Sequence, residues 1–126
     1  MQFDLKSYLN FEPSIIPQTS AGNIDGSAID TKGSQSCAMF GFVDGTAEGS
    51  FKIQDSADGS TGWADVADAK VLSEANDKAH VASDIVKLGV VNSKRYLRVV
   101  FTETTSGVVS AGIVLGCNSI VPTGTN

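Results

Sequence analysis

The chain has 126 residues, of which 41% are apolar and 18% charged, with 13 glycines and a formal net charge of −5. A chain of this length forms one domain that buries about two-thirds of its unfolded surface. Its nine scattered Lys and Arg residues do not build the basic face of a nucleic-acid-binding protein, and nucleic acid is excluded as an expected partner.

Residues 1–14 form the first predicted element, an N-terminal arm. Its apolar side chains are Phe3, Leu5, Tyr8, Leu9 and Phe11. Their spacing fits neither the alternation of a strand nor the stripe of a helix. The arm lies across its own domain or docks on a neighbouring subunit, and the sequence leaves both open. The segment has neither the basic stretch nor the continuous apolar stretch of a signal peptide.

Residues 15–126 are predicted to form a single antiparallel β-sandwich. Apolar runs alternate with turns rich in Gly, Ser, Thr and Asp, and no βα alternation is present. The strand-like runs are residues 14–20, 36–43, 49–56, 85–91, 94–103 and 107–117. Pro17 places the first run at a sheet edge, because proline cannot donate to a central ladder. No run approaches the roughly 20 apolar residues of a membrane helix.

Alternation along two of these runs separates the two faces of each strand. Phe51 and Ile53 are predicted to lie on the buried face of theirs, and Leu97, Val99 and Phe101 are predicted to share one face of theirs. Asn92-Ser93 and Thr105-Ser106-Gly107 separate the last three runs and are predicted hairpin turns. Residues 65–89 contain helix formers interrupted by Ser, Asp and Asn, which predicts one short helical turn at most.

The stretch QDSADGSTGWADV, residues 54–66, has the acidic and hydroxyl residues of a calcium loop but does not fit an EF-hand. An EF-hand that started at Asp55 would need oxygen ligands where Ala57 and Val66 stand, and Gly59 falls one position early. A looser site of Asp55, Asp58 and Asp65 is a weaker alternative. The favoured interpretation is a tight turn, in which Gly59 supplies a positive φ and Ser60 and Thr61 satisfy backbone groups.

Trp63 follows this turn, and the sequence leaves two roles open for its side chain. An exposed tryptophan at a sandwich edge stacks on sugar rings, with Asp58 and Asp65 as polar neighbours. Packing in the core or at an interface is the favoured role.

Catalytic and metal sites are not expected. His80 is the single histidine, and Ser83 beside it does not make a triad. Cys37 and Cys117 lack the CxxC spacing of a zinc site. Two free thiols are favoured, and a disulfide stays open if their strands pair. We predict no enzyme activity, no metal and no cofactor.

Four segments in this order resemble a family of small tailed-bacteriophage capsid decoration, or cement, proteins. They are IDTKGSQSCAMFGFVDG, GSFKIQDSADGSTGWADVADAKVL, VKLGVVNSKRYLRVVFTETTSG and VSAGIVLGC, which together span about residues 29–116. The resemblance implies a jelly-roll-like sandwich on the outer surface of a phage head. Relatives often end LGHP, whereas Gly116 here leads into CNSIVPTGTN, so a tail-based anchor would differ.

The resemblance implies a structural virion protein, assembled in the bacterial cytoplasm, that stabilises the mature shell. Its partners would be the major capsid protein and further copies of itself, as a homotrimer or dimer, without membrane or nucleic acid. The predicted contact residues are Phe3, Leu5, Tyr8, Phe11, Arg95 and Arg98. The alternative is a carbohydrate- or receptor-binding module that uses Trp63, Asp58 and Asp65. Placement in the head or in the tail stays open.

Overall fold

The computed structural model describes residues 9–32, 34–72, 79–80, 85–91 and 93–118, with the backbone alone at 34–35, 79–80 and 117–118. Within these ranges there are eleven strands and one turn of 3-10 helix at Asp68–Lys70. The strands are β1 (Asn10–Thr19), β2 (Ile24–Asp25), β3 (Ile29–Asp30), β4 (Ser34–Asp44), β5 (Glu48–Ser56), β6 (Ala64–Asp65), β7 (Val71–Leu72), β8 (Ala79–His80), β9 (Ile85–Val90), β10 (Tyr96–Thr105) and β11 (Val108–Asn118).

The strands form two antiparallel sheets. The five-stranded sheet has the order β1-β11-β4-β9-β7, and the six-stranded sheet has the order β2-β10-β5-β6, with β3 beside β10 and β8 beside β5. The long strands switch sheets along the chain, from β4 to β5, from β9 to β10 and from β10 to β11. The predicted all-β fold, an antiparallel sandwich of two sheets, is confirmed.

The prediction of hairpins between the last three strands is wrong. β10 pairs with β2, β3 and β5, whereas β9 and β11 both lie in the other sheet. The connection before β10 and the connection after it therefore both cross from one sheet to the other. Asn92 itself lies outside the described residues. Alternation shows which side chains enter the core, but the core faces of both sheets carry the same pattern, so it does not show to which sheet a strand belongs.

Other predictions about single elements are confirmed. The run with Pro17 is β1, at the edge of the five-stranded sheet. The described part of residues 65–89 contains one 3-10 turn, at Asp68–Lys70. The boundary predicted between arm and domain, at residue 14, falls inside β1. Phe11 therefore belongs to the sheet, where it pairs with Val114. Phe3, Leu5 and Tyr8 lie outside the described residues.

The two sheets enclose one core. The predicted core residues Phe51 and Ile53 are fully buried, and so is the face that Leu97, Val99 and Phe101 share. The rings of Phe51 and Phe101 lie 5.0 Å apart between centroids and are tilted by 51°, a geometry that aromatic pairs prefer. Burial of side chains of this size stabilises the fold by roughly 1.5–3 kcal/mol each.

A buried polar contact joins the sheets at one end of the core. The Ser14 hydroxyl of β1 donates to the carbonyl oxygen of Ser27 at 2.9 Å and accepts from the amide of Val99 in β10 at 3.0 Å. Gly26 permits this approach, because a Cβ there would overlap Ser14 Oγ and lie 2.5 Å from the carbonyl oxygen of Val99.

Candidate functional site

The outer side of the five-stranded sheet carries a continuous set of apolar side chains, which we call the apolar face. They alternate along their strands with buried core residues such as Met39, Leu88 and Val109, and so point away from the core. The members of the apolar face are Leu9, Phe11, Ala38, Phe40, Phe42, Leu72, Ile85, Val108 and Val114.

Strand register arranges these residues in rows across the sheet. Phe42 of β4 pairs with Ile85 of β9, and their side chains are 46% and 60% exposed. Another row runs from Phe11 through Val114 to Ala38. Large side chains in direct cross-strand pairs contact one another. The row of Phe11 is apolar from β1 to β4, whereas the row of Phe42 and Ile85 continues to the polar, half-buried Ser110 of β11.

Glycines make room for the bulky side chains of this face. A Cβ on Gly112 would come within 2.5 Å of the Phe11 ring, and one on Gly89 would lie 3.3 Å from Leu72 Cβ. A Cβ on Gly116 would lie 3.1 Å from Leu9 Cδ2. The edge side chains therefore lie low over the central strands, which flattens the surface.

Two charged residues among those described occupy outward positions on this face, one on each side of the Phe42–Ile85 row. Lys87 pairs with Phe40 in the row on one side. Asp44 pairs with Val108 in the row on the other side. The Phe42–Ile85 row thus has a positive charge on one flank and a negative charge on the other.

The outer side of the six-stranded sheet is different, because its side chains are polar and bonded to one another. Arg98 donates through Nε and Nη2 to Gln54 Oε1 at 3.0 and 2.8 Å. Gln54 Nε2 in turn donates to Asp65 Oδ1 at 2.8 Å, and Lys52 Nζ lies 3.4 Å from the same oxygen. The bond from Gln54, with Lys52 nearby, lowers the pKa of Asp65.

The predicted contact residues do not form one surface. Phe11 is 56% exposed on the apolar face, whereas Arg98 lies on the opposite side of the sandwich. Arg95 forms a two-pronged ion pair with Asp30, at 2.9 and 2.8 Å, which lowers the pKa of Asp30 to about 2. Both arginines thus have partners within the chain.

Trp63 lies against Arg98, whose Cζ is 4.5 Å from the centroid of the indole ring. This is a cation–π contact, and Trp63 is half-buried. One face of the indole is therefore occupied by the protein itself. The structure places Trp63 in surface packing on the six-stranded sheet and outside the core.

Asp58 organises the tip of the β5–β6 hairpin. Its Oδ1 accepts from the amides of Ser60 and Thr61, both at 2.9 Å, and its Oδ2 accepts from the Thr61 hydroxyl at 2.8 Å. These bonds hold the pKa of Asp58 well below its usual range. Gly59 has φ 79°, as predicted. The predicted direction of bonding was wrong, since Asp58 satisfies the backbone of Ser60 and Thr61.

The loose calcium site is not assembled. Asp55 is buried on the core side of β5 and accepts from the amide of Lys94 at 3.1 Å, whereas Asp65 faces outward. Among the described residues, no group of three or more His, Cys, Asp or Glu side chains is placed to hold a metal ion. Within the same ranges, no helix has the length and apolar character needed to cross a membrane.

The remaining reactive residues lie apart from the apolar row of Phe42 and Ile85. Cys37 is a free, half-buried thiol, and burial raises its pKa. It pairs across the sheet with Leu115; the side chain of Cys117 lies outside the described part. His80 pairs with Gly49 through β8, and its side chain is likewise not described.

Comparison of the chain with protein-family models, with curated proteins and with solved structures found no match.

The sequence predictions missed the apolar face, although β4 carries a signal for it. The run CAMFGFV has apolar or glycine residues at every position and does not alternate. A strand that is apolar on both sides is covered on both sides in parallel or sandwich-core sheets. In an antiparallel sandwich one side of β4 meets the core, so Phe40 and Phe42 on the other side indicate a second apolar surface.

Proposed function

We propose that this chain is a structural virion protein, a capsid decoration subunit that binds the outer surface of a tailed-phage head and stabilises the mature shell. The observation that carries the proposal is the contrast between the two outer sides of the sandwich. One is polar and bonded internally; the other is the apolar face. Soluble monomers rarely expose large contiguous apolar patches, and those that do use them for association.

The fold by itself supports the proposal only weakly. Jelly rolls serve in viral capsid proteins and in lectins alike, and one fold hosts many functions. The order of the sequence segments that resemble decoration proteins gives the more specific support. A decoration role also needs no catalytic group, only surfaces that fit a repeating lattice.

Stabilisation would follow from mass action. A protein that binds the mature lattice and not its disassembled subunits stabilises the lattice by RT ln(1 + [L]/Kd), or about 2.7 kcal/mol per site at a hundredfold excess over Kd. Many such sites on one shell raise the temperature at which it comes apart. The protein therefore acts by occupancy of a repeated site.

We assign the shell contact to the N-terminal segment, with Phe3, Leu5 and Tyr8, together with Phe11 at the edge of the apolar face. Arg95 and Arg98 are left out of this contact, because each is already held by a partner within the chain. Residues 1–8 precede β1, which begins at Asn10. They are therefore removable without cutting into the described sheet.

The test is binding of purified protein to undecorated shells, followed by co-sedimentation and by the temperature of shell disassembly. The full chain is expected to pellet with the shells and to raise that temperature. A variant with Phe3, Leu5 and Tyr8 changed to Ser is expected to lose both effects, whereas a control with Gln2 and Lys6 changed to Ser keeps them. Equal binding by the two variants would refute the assignment of the contact to this segment.

The carbohydrate-binding alternative receives no comparable support. Asp58 is used within its own hairpin, Asp65 bonds to Gln54, and Arg98 covers one face of Trp63. A sugar would have to displace contacts that already hold the hairpin together.

A further inference from the structure

We infer that the apolar face packs against the same face of a second copy of this chain, with a two-fold axis in the interface along the row of Phe42 and Ile85. Both side chains are about half exposed or more, at 46% and 60%, and they form a direct cross-strand pair. A two-fold axis along this row stacks each side chain on its own counterpart, which is the self-complementary contact of a symmetric dimer.

Charge complementarity selects this occupant and this axis. Lys87 and Asp44 lie one outward row to either side of the Phe42–Ile85 row, on the neighbouring strands β9 and β4. A two-fold axis along the row exchanges its two flanks. Lys87 of one copy then lies level with Asp44 of the other copy. The two positions are offset sideways by about one strand spacing, 4.8 Å. Two such pairs form, because the symmetry repeats the contact.

The distances across a sheet packing suit this pairing. Two sheets that pack face to face lie about 10 Å apart, which the side chains of Lys87 and Asp44 span from opposite sides. Lysine buries its aliphatic stem along apolar surface and keeps its charge at the end. Lys87 is exposed beside Phe40, so its ammonium group is free to reach a carboxylate of the second copy.

An axis along the Phe42–Ile85 row brings three outward rows of each copy into contact, namely this row and the row on either side of it, and leaves the row of Phe11 uncovered. Four strands spaced by about 4.8 Å and three rows spaced by about 6.8 Å span about 19 by 20 Å, or about 400 Å² per copy. Stable interfaces bury roughly 600–1,000 Å² per partner, so we expect a weak dimer. The low profile of the edge side chains over Gly89 and Gly112 leaves the face flat enough for two sheets to meet.

The test is sedimentation velocity over a concentration series with three charge variants. The unmodified chain is expected to form a dimer. Lys87→Asp and Asp44→Lys are each expected to raise the dimer Kd about tenfold or more, because each places like charges together. The double variant with both changes is expected to recover dimerisation. A monomer at all concentrations, a trimer, or a double variant no better than the single ones would overturn the inference.

A matched pair of isomeric side chains tests the position of the axis. Ile85→Ser is expected to weaken the dimer at least about tenfold, whereas Leu72→Ser, at the corner of the same face and 52% exposed, is expected to change it less than about threefold. Thermal unfolding of both variants shows that they are folded. Equal weakening by the two changes would show that the axis does not lie along the Phe42–Ile85 row.

This inference does not rest on the proposed function. A chain that dimerises as described but fails to bind shells would refute the decoration proposal and leave the dimer intact. Conversely, shell binding by a strict monomer would refute the dimer alone.

Discussion

Asp58 shows how a single residue fixes a loop. Its carboxylate receives two amides and one hydroxyl within four residues of chain, and the buried Ser56 hydroxyl accepts from the amide of Gly59 at 3.1 Å. The hairpin tip is therefore bonded internally and rigid in its backbone. The Asp-Gly pair predicted the turn, since Asx turns and a positive φ at glycine have local causes. The direction of each hydrogen bond depended on the fold of the loop.

The first prediction concerns pH. The pKa values of Asp30, Asp58 and Asp65 all lie below the ordinary 3.8. A lowered folded-state pKa stabilises the protein above pH about 4, and this contribution is lost as pH falls toward about 2. We expect the thermal midpoint to fall across this window. Asp58→Asn, which keeps the shape but removes the charge, should lower the midpoint at pH 7 and reduce the fall on acidification. An unchanged pH dependence would show that the Asp58 bonds do not hold in solution.

At the scale of elements, the hydrogen bonds of Ser14 join β1 to the opposite sheet at the point where Gly26 lies close to it. The variant Gly26→Ala tests this close approach. The added methyl group would overlap Ser14 Oγ and crowd the carbonyl oxygen of Val99, so either the hydroxyl bridge or the backbone must move. We expect a loss of about 2–4 kcal/mol in the free energy of unfolding, measured by denaturant titration.

The control for this change is Ser27→Ala. The Ser27 side chain is exposed, and its carbonyl oxygen, which accepts from Ser14, is kept. Its effect should stay within about 0.5 kcal/mol. Similar losses from the two changes would mean that the close approach at Gly26 is not the source of the effect.

The elements also show what the sequence could and could not predict. The alternation in β5 identified Phe51 and Ile53 as core residues, because inward side chains in any sandwich are apolar. The alternation in β10 only grouped its side chains by face. Pro17 identified an edge for a chemical reason, its missing amide hydrogen. The pairing of β10 with β5, and not with β11, depends on contacts between residues that are forty or more positions apart, and local turn residues carry no information about it. The apolar face has a local signal in the unbroken apolar run of β4, but its extent depends on the order of five strands.

For the whole molecule, the decisive feature is the difference between the two outer surfaces. The network of Arg98, Gln54 and Asp65 satisfies its own polar groups, so the six-stranded side suits contact with water. The five-stranded side presents Phe42, Ile85 and their neighbours, which gain free energy when they leave water.

The measurement that tests the central claim most directly is quantitative mass spectrometry of the tailed-phage particles in which we propose this chain to be a subunit. The quantity measured is the number of copies of the chain per copy of the most abundant shell protein. Our account predicts a ratio near one or near a simple fraction such as one third, the stoichiometry of a lattice position. A few copies per particle, or none, would contradict it.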